Sequence, residues 1–537
     1  MRKSFACFCL CVLMQGSTLA QAFAAPKSQR ATPPDISIHT DQVQGSCYRF
    51  WTTMAMINQD NFKKSSYIKS LDTVKPFIES FNLVRTLGGR KDAKNNWYKG
   101  VDDQGKIITD FTGLAPSIRG VMQAGFKPRL VLDNVPSAMS TFEKIDTYGN
   151  TKPPDDYNLW RQYITAFLHE LIDTFGYEEV STWRFRVGTE PDLYPGHWSS
   201  TKEAYLKHYD ITVDAVLQVI PAADIGPGNI LGPHLQRKNQ WGLDLIDHCA
   251  TGTNFVTGKV GTPMRFFAFS FYERLETKGI RLEKAILPIK ERLSKYPQFH
   301  NISLDIHEFG IIKDEHGHGL VGLHDISEFG ASWFAAISDI TYKHQIAEIY
   351  EWGATTNALP HPRQHVLRML EKMAGGQRLE VTTQEGVAND WCGAIACTQG
   401  DAVYVLLYNH DPKRKVQELK TLHTAVTGSH IVASEQWSMN EWSIDHDHGV
   451  WVYALYEDCE AAGLKYNPQS ALYDRVVASN YGNGWNKVYQ ANLDKYLELA
   501  RFPQTARNVP VSTQRGVLRL DFDMPGNSVK LVELKPN

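Results

Sequence analysis

The sequence is poor in cysteine, carries no excess of positive charge and has a single stretch of membrane-seeking character. Eight cysteines occur in 537 residues, and neither a CxxC pair nor an HExxH run is present. The histidines show no ligand spacing either, so no catalytic metal or other cofactor is expected. A formal net charge of −3 argues against a nucleic-acid binder that works through overall positive charge. There is no internal repeat, and no Gly-rich phosphate turn follows the first strand-like run, as a doubly wound dinucleotide fold would need. The apolar run Phe5–Met14 follows Arg2 and Lys3 and precedes Ala20-Gln21-Ala22 and Ala22-Phe23-Ala24. It is too short to cross a bilayer and reads as a secretory signal over residues 1–24, so a secreted or periplasmic protein is expected, with no membrane span. Removing Cys7, Cys9 and Cys11 with it leaves Cys47, Cys249, Cys392, Cys397 and Cys459. An odd number in an exported chain implies a free thiol or an intermolecular bond, and Cys392 and Cys397 are spaced to bridge a hairpin.

What is present is alternation. Strand-like runs at Tyr48–Met56, Phe81–Leu87, Lys127–Leu132, Thr182–Val187, Asp224–Leu231, Phe266–Tyr272, Ile302–Glu308 and Ala347–Trp352 are separated by amphipathic stretches. These lie near Ile68–Ser80, Leu114–Ala124, Tyr157–Phe175, Lys202–Ile220, Leu243–Cys249, Leu282–Tyr296, Ile326–His344 and Arg363–Met373. Such alternation predicts an α/β fold, a (β/α)8 TIM barrel over residues 45–376. From residue 377 to 537 short β-rich runs such as Ala402–Leu407 and Val517–Phe522 alternate with Gly, Asn and Asp turns. They predict an accessory C-terminal β-sandwich, interrupted by a helical stretch around Asn492–Arg501. Residues 25–44 read as a leader able to join that sandwich.

In a barrel the catalytic groups stand at the C-terminal ends of strands. In Thr182–Trp198, TWRFRVGTEPDLYPGHW, a β-prone run breaks at Gly188-Thr189, presents Glu190 and is stopped by Pro191. Glu308 ends the seventh strand in LDIHEFG, where Ile302, Leu304 and Ile306 are expected to face inward. A pair of carboxylates across a barrel mouth suits glycosidic bond cleavage by double displacement. One stays protonated to donate to the leaving oxygen and the other attacks the anomeric carbon, at a separation of roughly 5–5.5 Å. Glu351 and Glu273, at the ends of strands eight and six, compete for the second role, and Glu315 is a more distant rival. A single strand-end glutamate is more often a structural ion pair; the combination of strands four and seven is what points to catalysis.

VGTEPDLYPGHW, the helix TKEAYLKHYDITVDAVLQVIP and DIGPGNILGP, in that order, resemble glycoside hydrolase family 39. So do FNLVRTLGG with GLAPSIRGVMQAGFKPRLVLDNVP, LDLIDHCATGTN before FAFSFYE, ISLDIHEFG, and beyond the barrel WSIDHDHGVWVYALYE and LRLDFDMPGNSVKLVEL. The resemblance covers nearly all of the chain after the leader. It implies Glu190 as acid/base and Glu308 as nucleophile. It implies substrate-binding or supporting roles for Arg85, which would orient the nucleophile, for Tyr272, whose hydroxyl would lie near it, for Trp352 as a sugar platform, and for Thr189 and His234. Two departures stand out. Thr189 occupies the place of an Asn that bonds the sugar 2-hydroxyl, and Ser270 replaces a His near the sixth-strand end.

Those departures suggest a sugar altered at C2, with a sulfate or uronic group received by Arg90, Lys91, Lys94 or Arg265; a solvated loop face explains the same cations. The expected activity is that of a secreted retaining glycoside hydrolase acting on an oligo- or polysaccharide. The alternatives are a non-catalytic carbohydrate-binding protein on a degenerate barrel and, fitting less well, a polysaccharide lyase.

Overall fold

The computed structural model describes residues 33–537, apart from 57–58, 92–95, 142–147, 234–240, 275–279, 314–325, 352–354, 357–358, 389–390, 413–418 and 467–480. Strands one to four are Thr53–Met56, Ser80–Leu83, Lys127–Val131 and Arg184–Val187. Strand five comes in two pieces, Asp224–Pro227 and Ile230–Leu231, and strands six to eight are Phe266–Arg274, Ser303–Lys313 and Glu348–Glu351. All their pairings are parallel. Strand eight returns to strand one through Tyr350↔Thr53. The first piece of strand five pairs with strand four and the second with strand six, as in Phe185↔Ile225 and Phe269↔Ile230. These pairings fit a (β/α)8 barrel.

The intervening helices form for ordinary reasons. The helix Tyr157–Phe175 is capped by Asp156, whose side chain accepts from Asn158 N, and Lys202–Val219 by Thr201, which accepts from Ala204 N. Trp160, Tyr163, Ile164, Phe167, Leu168 and Leu171 form one stripe at helical spacing, and all are buried. Each such side chain contributes about 1.5–3 kcal/mol of burial free energy. The expected helix near Ile68–Ser80 is largely absent. A short helix, Ser65–Ser70, gives way to a 3-10 turn, Leu71–Thr73, and Ser80 already begins strand two. Pro76 lies in that stretch and has no N–H to continue a helix.

The barrel interior is polar at its floor. Arg184 on strand four bonds Asp224 on strand five at 2.7 Å and Asp305 on strand seven at 2.7 Å, and lies 3.7 Å from Glu348 on strand eight. Arg129 on strand three reaches across to Glu348 and to the Tyr350 hydroxyl. His307 stacks on Tyr350 with centroids 4.0 Å apart. Strands four and seven are not neighbours, so a contact between them must pass through the interior. Asp305 and His307 therefore point inward, and Leu304 and Ile306, which alternate with them, point out to the helices. This reverses the expectation for Ile302, Leu304 and Ile306; Ile302 precedes the strand.

The C-terminal strands hydrogen-bond into one nine-stranded sheet. It runs in the order Gln504–Ser512, Gln436–Ile444, Ser528–Pro536, Ala402–Asn409, Cys392–Gln399, Gln377–Thr383, Ile36–Ser46, Lys420–Thr427, Leu518–Met524. Its pairings are antiparallel except that of Ile36–Ser46 with Lys420–Thr427. Trp437 and Phe522, near opposite ends of the sheet, enter one buried cluster with Ile36, Ile38, Val403 and Val405. Helices Val452–Ala461, Trp485–Ala491 and Leu493–Leu499 form a further cluster with Leu359, from the loop after strand eight.

All five cysteines among the described residues are buried, and none is in a disulfide there. Cys392 and Cys397 lie on the same strand, Cys392–Gln399. Five residues of extended chain separate their Cα atoms by roughly 17 Å, beyond disulfide reach. The bridge across a hairpin therefore does not form. Cys392 instead donates to Asn409 Oδ1 at 3.0 Å.

Candidate active site

Strand four ends in a tight change of direction. Gly188 has φ +82° and Glu190 φ +39°, the left-handed region that side chains other than glycine avoid at a cost of about 1–3 kcal/mol. Surrounding bonds impose it. The Tyr205 hydroxyl donates to Val187 O at 2.8 Å and accepts from Gly228 N at 3.0 Å, tying strand four to the break in strand five. Asp192 Oδ1 accepts from Leu231 N at 2.9 Å, and Leu193 N closes back on Glu190 O. The Glu190 carboxyl is thereby buried at the mouth, 5% exposed. Burial first, then the Glu308 carboxylate and Asp192, push its pKa up to about 8, against the pull of Ser270 and Arg186. Ser270 Oγ accepts from Asn229 Nδ2 at 2.7 Å, which leaves its own proton for Glu190.

Glu308 reaches the same space through a β-bulge. Between strands six and seven, Phe269 pairs with Ile306 but Ser270 pairs with Glu308, so His307 is the extra residue. Alternation shifts by one, and His307 and Glu308 both turn to the inner side, as bulges beside active sites do. Tyr272 donates its hydroxyl to Glu308 Oε2 at 3.0 Å. Outward again, Phe309 and Phe271 stack on Trp333 of the helix Glu328–His344.

A buried chain of polar groups links strands two, three, four and seven beneath the carboxylates. Arg186 donates to Gly188 O at 3.1 Å and to Thr189 Oγ1 at 2.9 Å, and lies 3.2 Å from His307 Nδ1. Thr189 donates to Asp133 Oδ2 at 2.8 Å, and Asp133 Oδ1 accepts from Arg85 N at 2.5 Å. Burial pulls the Arg186 pKa down, while Glu308, Asp133 and Glu190 hold it up.

Arg85, expected to orient Glu308, is held by Tyr148. Its Nε donates to Tyr148 O at 3.1 Å and its guanidinium lies over the Tyr148 ring, 5.4 Å from the centroid. The charge of Arg186 interacts with that of Glu308. Thr189 is 7% exposed with its hydroxyl both accepting and donating within the protein. The rival carboxylates are committed elsewhere: Glu273 pairs with Arg281 at 2.8 Å, and Glu351 with Arg363 at 2.5 Å. Arg265 precedes strand six and donates its N–H to Ile225 O, at the floor of the barrel, so it cannot meet a substrate at the mouth. His234, Trp352, Lys94 and Glu315 lie outside the described residues. Beside Glu190 a cleft is lined by Arg85, Asp133, Asn150, Lys152, His197 and Trp198, among others.

Asp133, Arg186, His197 and Asn229 escaped the sequence reading. Only Arg186 left a signal: in RFRV two arginines alternate with Phe185 and Val187, which puts both on one face of a barrel strand.

A family model described as Glycosyl hydrolases family 39 matches residues 35–324. An alpha-1,4-L-rhamnosidase of Formosa agariphila is 30% identical over 292 residues, which is 51% of this chain and 58% of that protein. A beta-xylosidase of Geobacillus stearothermophilus is 31% identical over 152 residues, 28% of this chain and 29% of that protein. The matched stretches thus span less than two thirds of either relative. Among solved structures, the GH39 enzyme from Xanthomonas axonopodis pv. citri superposes with a TM-score of 0.68 at 16% identity, covering 96% of this chain and 100% of that one. At that identity the likeness is one of fold.

Proposed function

The chain belongs to glycosyl hydrolases family 39, and from that premise we propose that it cleaves glycosidic bonds with retention of configuration, using Glu190 as acid and then base and Glu308 as nucleophile. The observation that carries the reading is the opposition of two buried carboxyls, one of which keeps its proton to about pH 8 in the field of the other. In the first step Glu308 attacks the anomeric carbon while Glu190 passes its proton to the departing glycosidic oxygen, and a glycosyl ester forms. Glu308 loses its charge in that ester. The field that raised Glu190 disappears with it, and Glu190, now ionised, takes a proton from the water that attacks the anomeric carbon and frees Glu308. Tyr272 holds one oxygen of Glu308 and leaves the other for attack.

In the finer reading the substrate is an anionic glycan, sulfated or uronic. Lys152 and Arg85 in the lining of the cleft favour this, as does a Thr189 hydroxyl already engaged by the protein. The relatives' substrates, an L-rhamnoside and a xyloside by their names, supply the neutral comparators. We read residues 45–376 as the catalytic barrel, and 377–537 with the strand Ile36–Ser46 as an accessory sandwich made by curling the nine-stranded sheet.

The test is turnover by the purified chain of sulfated and uronic oligosaccharides, set against 4-nitrophenyl α-L-rhamnoside and β-D-xyloside. Glu308→Ala is expected to abolish turnover. Glu190→Ala should retain it mainly on substrates with good leaving groups. Full activity in either variant refutes the assignment, and equal or better turnover of the neutral xyloside refutes the anionic substrate. Glycan binding without release of sugar points instead to a carbohydrate-binding protein.

A further inference from the structure

His197 stands on the loop that follows Glu190, and its Nδ1 lies 3.4 Å from Glu190 Oε2. The side chain is 9% exposed. Among the described residues neither ring nitrogen makes a hydrogen bond, and neither does Glu190 Oε1. The ring is nonetheless held in place. Tyr148 packs against it edge-on, centroids 4.4 Å apart and planes at 74°, and the His197 amide donates to Leu193 O at 2.9 Å. Burial, with the guanidinium groups of Arg85 and Arg186 facing it, pushes its pKa down to about 3. A neutral imidazole carries one N–H, and the Glu190 carboxyl is an acceptor 3.4 Å from its Nδ1.

We propose that His197 is a positioning residue for Glu190: when the carboxyl ionises, the His197 Nδ1–H donates to Oε2 and stabilises the charge left there. The proposal rests on the reading of Glu190 as acid/base. In the first step the proton leaves Glu190 for the leaving oxygen, and the new negative charge draws the His197 N–H to Oε2. In the second step the proton taken from water returns to Glu190. His197 neither gains nor loses a proton over the cycle. A contact of 3.4 Å is long at rest, and a donor of this kind tightens when charge develops on its acceptor. The other groups facing Glu190 are Glu308 and Ser270 from strands seven and six, Arg186 from strand four and Asp192 from its own loop. Glu308 and Asp192 are carboxyls, and Arg186 lies in the chain to Thr189 and His307. Ser270 and His197 are thus the neutral side chains among them that can donate to the carboxylate.

The test is a carbon-13 NMR titration of the full chain labelled at the glutamate carboxyl carbons. The Glu190 resonance is assigned by its loss in Glu190→Gln. His197→Phe removes the donor and keeps a ring; His197→Asn keeps an N–H near the Nδ1 position; His197→Gln moves it one carbon further out. With the donor gone, the Glu190 midpoint should move up by about 1–2 on the pH scale, the change given by losing a hydrogen bond to a charged group. His197→Asn should titrate as the native chain does, and His197→Gln should follow His197→Phe. Comparing the Asn and Gln variants keeps the test decisive where the Phe variant does not fold. A Glu190 midpoint that stays put or falls when the donor is removed overturns the proposal. Its premise fails separately: a Glu190→Gln chain that turns over glycosides at the native rate removes the acid/base reading whatever the titration gives.

Discussion

Replacing Glu190 by Gln keeps the size and most of the shape of the side chain and removes its titration, and the structure predicts what this does to stability. The carboxyl has an ordinary pKa of 4.5 and is pushed up to about 8 in the fold. Between those values the folded chain holds a proton that the unfolded chain has released. Its favourable contribution is complete below pH 4.5 and is lost as pH rises to about 8. A tenfold difference in proton affinity is worth about 1.4 kcal/mol, so the rise from 4.5 to about 8 amounts to about 5 kcal/mol across that window. That is comparable with the whole stability of many domains, commonly about 5–15 kcal/mol. Glu190→Gln escapes this loss. Its advantage over the native chain should grow by about 1.4 kcal/mol for each tenfold fall in proton concentration from about pH 5 upwards and level off above about pH 8. Urea unfolding followed by tryptophan fluorescence, on both chains at several pH values from about 5.5 to about 8.5, measures the difference directly. A gap that is flat with pH, or that narrows as pH rises, would mean that Glu190 ionises normally, and the argument for a proton-holding acid at this position would fall. The gain in stability should come with loss of turnover, as expected where a site is built at the fold's expense.

Two further substitutions probe the site and its foundation. Tyr272→Phe removes the hydroxyl that donates to Glu308 Oε2 at 3.0 Å. kcat/KM should fall about 10- to 100-fold, the worth of a hydrogen bond to a charged group; steady-state kinetics that match the native enzyme would show that the hydroxyl does not orient the nucleophile. Asp305→Ala leaves Arg184, 16% exposed, without its partner on strand seven but still beside Asp224. The loss should sit near the low end for a broken buried pair, about 3 kcal/mol, and a denaturant curve shifted by less than about 1 kcal/mol would rule out a structural role for the floor network.

The architecture is legible in the sequence because its signals are local and repeated. Each barrel strand carries an apolar run that the structure extends or trims by a few residues, and the stripe of Trp160, Tyr163, Ile164, Phe167, Leu168 and Leu171 places the helix Tyr157–Phe175 to the residue. What misleads is periodicity read without its partner strands. In ISLDIHEFG the apolar residues look like the inward set, and Glu308 shares their parity. The interior instead takes Asp305 and His307, because arginines from strands three and four fill it and need acceptors. Glu308 joins them only through the extra residue at His307. A bulge belongs to a pair of strands, and no single run of sequence announces it. The same holds for Arg85, whose place next to strand two suggests a partner that Tyr148, from a distant loop, supplies instead.

Thr189 shows how such long-range links change the meaning of a residue. As a replacement for a residue expected to touch the sugar, it points to altered substrate recognition. In the fold its hydroxyl accepts from Arg186 and donates its one proton to Asp133. Its donor capacity is spent within the protein. The chain Asp133–Thr189–Arg186 places a guanidinium beneath both carboxylates, where it holds down the pKa of Glu190 against burial and the field of Glu308. On this geometry the departure at Thr189 acts on the charge network around the carboxyls, through Arg186 and Asp133.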